Sequence, residues 1–347
     1  MKSKEDALAQ PYLDLITRWN RTWFVIVLLF VLSSCTVNTP STFNPQGPAA
    51  GRISDLWWLL FGLAALVYLL VMGIMLYAFF RSRHDPRRNA WFNRNGRYLI
   101  IGGGAIAPAI ILTITYIFTL NALSDLNMPE TADSLTIEVV GHQWWWEVNY
   151  PQQNVTTANE IHIPAGQPIT LQLTSNDVIH SFWVPELHGK LDLIPGRTNS
   201  FWLQADEPGE YWGLCAELCG IQHAKMQLVV VAQPPSDLAD WLAQQAQPAA
   251  APAGTLAQRG FEVFMQANCH ECHVIRGTEA DGESGPDLTH FADRQTLGAG
   301  AARNSRGNLA GWIVNPHGLK PGNLMPAAAN ISGEDLQALL AYLETLQ

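Results

Sequence analysis

The chain has 347 residues, 14% of them charged and 48% hydrophobic, with five cysteines and a net charge of −10. That length predicts two or three domains, the high hydrophobic fraction excludes a disordered chain, and the cysteines are too few for a disulfide scaffold. Residues 1–120 hold 11 basic and 5 acidic side chains, whereas residues 121–347 hold 9 and 25. A basic, apolar front and an acidic, polar remainder read as a membrane anchor carrying an external part, one that attracts basic proteins and does not suit nucleic acid.

Residues 1–35 read as an export signal. Arg18 and Arg21 precede a short apolar stretch, Trp23 to Leu32, too short to span a bilayer. It ends in Leu32-Ser33-Ser34-Cys35, which resembles the cleavage box of bacterial lipoproteins, with Cys35 as the lipidated residue. Residues 36–121 are expected to form a two-helix transmembrane hairpin, with spans at about 56–80 and 98–120 free of charge. The 17-residue connection Arg81–Arg97 holds six arginines and one acid, Asp85. Positive loops stay in the cytoplasm, so everything after residue 121 is expected outside. Pro108 falls inside the second span, where a kink is tolerated.

Residues 122–232 are expected to be an all-β sandwich. Short runs of β-formers (135–140, 144–150, 169–174, 200–204 and 226–231) alternate with Asn, Gly and Pro. Residues 233–254 read as a linker with one short helix near 237–245 and a semi-stiff Pro-Ala spacer. Residues 255–347 form a further domain, whose Leu336, Leu339, Leu340 and Leu343 mark a C-terminal amphipathic helix.

The densest chemistry is Cys215-Ala-Glu217-Leu-Cys219-Gly-Ile-Gln-His223-Ala-Lys-Met226. Thiolate and thioether are soft ligands, and His, Cys and Met on a β-sandwich suit copper electron transfer. Single-copper sites of that kind use one Cys, so a second Cys points to a second copper bridged by both sulfurs. The missing imidazole is expected from His180, placed after a strand at the start of an apolar turn. A disulfide is the competing reading in an oxidising compartment, but it leaves His223 and Met226 unexplained. His142, His162 and His188 read as structural.

This segment resembles the binuclear copper A loop of cytochrome c oxidase subunit II, Cys-x-Glu-x-Cys-x-x-x-His-x-x-Met, and the hairpin followed by a cupredoxin Greek-key sandwich resembles the same subunit. The resemblance implies that His180, Cys215, Cys219, His223 and Met226 bind two coppers, and that Glu217 offers its backbone carbonyl. The Glu217 carboxylate would face a magnesium ion shared with subunit I. In Gly141-His-Gln-Trp144-Trp-Trp-Glu, Trp144 matches the position where electrons arrive from cytochrome c, and Asp177 matches an acidic position for docking the donor. Trp145 and Trp146 read as core. No acidic residue lies within Tyr98–Pro108, where many relatives carry a proton-uptake carboxylate, so none is assigned.

Cys269-His270-Glu271-Cys272-His273 is a CxxCH motif: two thiols that add to haem vinyl groups and an axial His. Met325 is the candidate sixth ligand, and a Met/His pair raises haem potential. Met265, His290 and His317 are poorer candidates, the two histidines expected at the surface. The stretch resembles an all-α class I cytochrome c. Together the modules resemble subunit II of a caa-type oxidase, a multi-domain protein of the bacterial cytoplasmic membrane. The resemblance implies electron relay from a cytochrome c or a cytochrome bc complex, through haem c and copper A, to haem in subunit I. Dioxygen reduction coupled to proton translocation would occur in that partner, with subunit III alongside. The copper subunit of a nitric oxide reductase and a free-standing membrane-anchored carrier remain alternatives; copper storage would leave the covalent haem unexplained.

Overall fold

The computed structural model describes Trp23 and residues 40–80, 86–127 and 134–347. The proposed signal segment, with Cys35, otherwise lies outside the described residues. Helix α1 runs Pro48–Phe80, α2 Pro86–Ile101 and α3 Ala107–Asp125. The stretches Pro48–Phe80 and Arg94–Asp125 are each long and apolar enough to cross a membrane. At the start of α1, Phe43, Trp57, Trp58 and Phe61 form an aromatic cluster, with Trp57 and Phe61 stacked at 5.2 Å. Such rings favour the membrane–water boundary.

The Arg-rich connection is more ordered than its composition implies, since it is helical from Pro86 onward. Between α2 and α3 the helix is a π-turn, Gly102–Ile106, in which Ala107 N–H reaches Gly102 O. Pro108 lacks an N–H and its ring crowds the preceding turn; a π-turn next to it accommodates that conflict without a break.

The hairpin is fastened to the sandwich. Arg52 pairs with Asp125 across its open end at 3.4 Å. Gln46 N donates to Glu186 O at 2.7 Å, Asp206 N to Gln46 O at 2.9 Å, and Trp202 Nε1 to Leu126 O at 2.9 Å.

The sandwich has ten strands: β1 Thr136–His142, β2 Trp145–Tyr150, β3 Val155–Ala158, β4 Glu160–Pro164, β5 Ile169–Ser175, β6 His180–Trp183, β7 Leu191–Leu193, β8 Asn199–Leu203, β9 Gly209–Cys215 and β10 Gln227–Gln233. One sheet has the order β3-β2-β1-β5-β8 and the other β4-β10-β9-β6-β7. β1 pairs parallel with β5 and β10 parallel with β4, while the other ladders are antiparallel. Alternation sets the core: Ile137 and Val139, then Trp146, Val148 and Tyr150, then Ile169, Leu171 and Leu173 all point inward. Each such side chain contributes about 1.5–3 kcal/mol.

Five strands escape the sequence pattern: β3, β4, β6, β7 and β9. They are short, polar or interrupted by Gly209 and Gly213, so period-2 hydrophobicity does not show. His180, expected in a turn, is the first residue of β6.

Helix α4, Pro235–Gln245, is no free spacer. Leu238 and Leu242, one turn apart, are buried in the sandwich core. The C-terminal domain packs α5 Thr255–Gln266, α6 Arg306–Val314 and α7 Gly333–Leu343 around Phe264, Ile275, Ile313 and Leu340. Ser332 Oγ caps α7 by accepting from Asp335 N at 3.1 Å.

The two domains share a polar interface. Glu160 Oε1, buried at 3% exposure, accepts from Gln295 N at 2.6 Å and Thr296 N at 3.2 Å. Buried Arg294 donates to Thr157 Oγ1 at 3.3 Å and to Asp287 O. Arg276 donates to Ala246 O at 3.2 Å, Asn154 O at 3.4 Å and Gln245 O.

Candidate metal centre

The loop from Cys215, at the end of β9, to Met226, just before β10, is closed at its base by Cys215 N–H donating to Met226 O at 2.9 Å. Ala216 N donates to Ser181 O at 2.9 Å, which ties the loop to β6. His180 thereby faces the two thiols. His180, Cys215 and Cys219 place a ligand atom each within 4.8 Å of one another, all buried.

The sulfurs are 3.7 Å apart, far beyond the ~2.05 Å of a disulfide, and both cysteines are free. Cys215 Sγ lies 3.9 Å from His180 Nδ1 and 3.2 Å from Glu217 O. Cys219 Sγ lies 3.9 Å from both His223 Nδ1 and Met226 Sδ. Six donors of the expected types therefore line one pocket in the core, and their softness fits a thiolate-bridged copper pair.

Hydrogen bonds from Cys219 and His180 hold the Cys215 thiol well below the ordinary range, against the effect of burial. The same partnership raises Cys219. A metal ion bound by both sulfurs would displace the proton that Cys219 retains.

Around the donors sits a polar brace. Asp177 Oδ1 lies 2.8 Å from His180 Nε2, while Asp177 also accepts from Gln143 N and Val178 N. The carboxylate fixes the ring so that Nδ1 is the nitrogen left for a metal. Burial opposes ionisation of Asp177, but these three hydrogen bonds together keep it below the usual carboxylate range. Asp177, expected as a docking acid, thus bonds the His180 ring while its residue stays exposed. Gly141 permits the close approach of the ring, since a Cβ there would lie 2.7 Å from His180 Cδ2.

Trp144 Nε1 and Gln143 Nε2 both donate to Cys219 O, at 3.0 and 2.7 Å. The Glu217 carboxylate is 3.6 Å from Lys190 Nζ. Sequence reasoning missed Gln143; its one signal was adjacency to Trp144. Trp146 is fully buried, whereas Trp145 is half-buried and stacks on His142 at 4.3 Å. His142 pairs with Glu147 at 3.1 Å, and His162 stacks on Trp241 at 3.8 Å.

In the C-terminal domain, Cys269 opens a three-residue helical turn after α5, and Cys269 and Cys272 are free and half-buried. Burial pushes the Cys269 thiol up to about 11. His273 Nδ1 lies 2.7 Å from Pro286 O, which leaves Nε2 for an iron. Burial lowers the His273 pKa, so the neutral, ligating ring is favoured. Gly285 lies against this ring, since a Cβ there would be 2.7 Å from His273 Cε1. Two free thiols beside an oriented, neutral imidazole fit a covalent haem. Met325 lies on a separate loop, half-buried, its N–H donating to Asn323 Oδ1 at 2.9 Å.

His290 departs from expectation. It is buried at 4% exposure, 3.0 Å from Gln247 O, because the chain leading from α4 folds over it. His317 is exposed, as expected.

Residues 152–233 match the family described as cytochrome C oxidase subunit II, periplasmic domain, and residues 257–347 match the cytochrome c family. Cytochrome c oxidase subunit 2 of Alkalihalophilus pseudofirmus is 35% identical over 325 residues, covering 92% of this chain and 94% of that protein. The Bacillus subtilis protein of the same name is 28% identical over 354 residues, covering 96% and 99%. A crystal structure of the periplasmic domain of subunit II of cytochrome oxidase from Bradyrhizobium japonicum has 34% sequence identity and a TM-score of 0.33, covering 34% of this chain and 96% of that one.

Proposed function

The chain belongs to the cytochrome c oxidase subunit 2 family, and from that premise we propose that it is the electron-uptake subunit of a caa-type, proton-translocating oxidase. A copper pair would be held by His180, Cys215, Cys219, His223 and Met226 with the Glu217 carbonyl, and a haem c by Cys269, Cys272, His273 and Met325. When bound, each group takes up and releases single electrons. The observation that carries this reading is the convergence of two free thiols, two imidazoles and a thioether, from β6 and the 215–226 loop, at one point beside the core.

The chain's own residues make that loop suited to fast exchange. His180, Cys215, Cys219 and Met226 are each at most 2% exposed, so water is excluded from these four donors. Asp177 fixes one imidazole, and Trp144 with Gln143 fixes the Cys219 carbonyl. A shell that cannot relax contributes little reorganisation. Trp144, half-buried and bonded to the loop, is the side chain through which we route electron uptake. The partners we assign are subunit I, which would reduce dioxygen, subunit III, and a cytochrome donor attracted by the acidic external half.

The test is metal counting and difference spectroscopy on the full chain extracted in detergent. The expected result is two coppers and one covalent haem c, with a near-infrared band from a mixed-valence pair. An isolated single-copper signal would overturn the assignment.

A further inference from the structure

Lys320 ends the short helix Pro316–Leu319 in the C-terminal domain, five residues before Met325. It is only 3% exposed. Its ammonium crosses to the sandwich and donates to Trp144 O at 2.7 Å, while also donating to Gly298 O at 3.0 Å within its own domain. Among the described residues no carboxylate forms an ion pair with it. Burial pushes its pKa down to about 7. Taking an amine out of water is costly, and apolar packing would serve a purely structural seam better.

The contact joins the loop carrying Met325 to a residue that braces the metal loop. On the sandwich side, the residue that receives Lys320 is the one whose indole bonds Cys219 O at 3.0 Å. From the copper loop itself, Lys225 Nζ donates back to Leu319 O at 2.9 Å. Gln227 N, just past Met226, donates to Ala299 O at 3.0 Å. Two lysines, one from each domain, thus clasp the Met325-bearing loop onto the Trp144 and Cys219 loops.

We infer that Lys320 is a positioning residue: it seats the loop carrying Met325 on the Trp144 carbonyl and thereby fixes the spacing between the C-terminal redox group and the metal pair. The haem domain is then a docked module, not a swinging one, and it occupies the Trp144 face that a separate donor would otherwise use. This rests on the function proposed above.

The experiment uses the full chain in its assembled complex, with Lys320→Met, which keeps the length, removes the donors and relieves the buried charge, so folding is retained. Two quantities are read: hydrogen exchange of peptides spanning 143–146 and 296–300, and the rate of electron equilibration between haem and copper after flash photoreduction. The expected result is faster exchange in both peptides and transfer slowed by about tenfold or more, as misplacement of reacting groups produces, with both absorption spectra and both potentials unchanged. Unchanged transfer overturns the inference, whether or not exchange changes. Absence of the copper or haem signal in the parent chain would instead remove the functional reading, and the exchange comparison alone would then decide whether Lys320 joins the domains.

Discussion

The metal loop and the CxxCH segment reach readiness by opposite routes. The copper donors come from β6 and from the 215–226 loop, and residues 141–144 and 177 brace them. Three of the four proposed haem donors lie within five consecutive residues, with Met325 on a separate loop; of the three, only His273 is oriented by a partner, and the thiols are half-buried. A site assembled from distant segments must be built by the fold. A site written in one short motif can leave its final form to the covalent chemistry of the group it binds.

The largest test of that contrast is Cys215→Ser. Copper binding and the near-infrared band should vanish while the haem spectrum stays intact, as metal analysis and absorption spectroscopy would show. A disturbed haem spectrum would mean that the two sites are not separate.

Asp177→Asn is a subtler break. The substitution keeps an acceptor near His180 but loses the charge that orients the ring. Loss of an outer partner of a metal-binding histidine costs about 10- to 100-fold in affinity, so a copper competition titration should shift by that amount. A change in donor-cytochrome KM with copper affinity unaltered would return Asp177 to a docking role.

The smallest effect probes the seam between the two regions. Burial raises the Glu160 pKa to about 7, against the bonds from Gln295 and Thr296 and the charge of Arg294. The docked state therefore favours the protonated acid. Its contribution is complete below about pH 4.5, the unfolded value, and is lost as the pH rises through 7. Melting curves should weaken over that window by at most about 3 kcal/mol. Glu160→Gln, neutral throughout, should flatten the dependence.

The metal loop was legible in the sequence because its spacing is itself the chemistry, and His180 was legible as the one imidazole that followed a strand and opened an apolar turn. Its brace was not. Asp177 is singled out in the sequence for docking, not for the bond its carboxylate makes to Nε2 of His180. Lys320 reads as a surface lysine until a second domain covers it. α4 was expected as a short helix within a linker, but its docking on the sandwich was not legible, because Ala and Gln dilute its period although Leu238 and Leu242 stand one turn apart. β6 and β7 are too short for alternation to register, and β6 is held in its sheet by β9, distant in sequence.

The stitching at Arg276 has one more consequence. Ala249 N donates to Arg276 O at 2.9 Å, and the Arg276 guanidinium grips the carbonyls of Gln245 and Ala246. Undocking releases that grip, and only the nine residues 246–254 then lie between α4 and α5. At about 3.5 Å each they reach roughly 30 Å, so a domain that lets go stays at an effective concentration of millimolar order. Weak individual contacts across the seam are enough to keep it closed, because recapture outpaces escape.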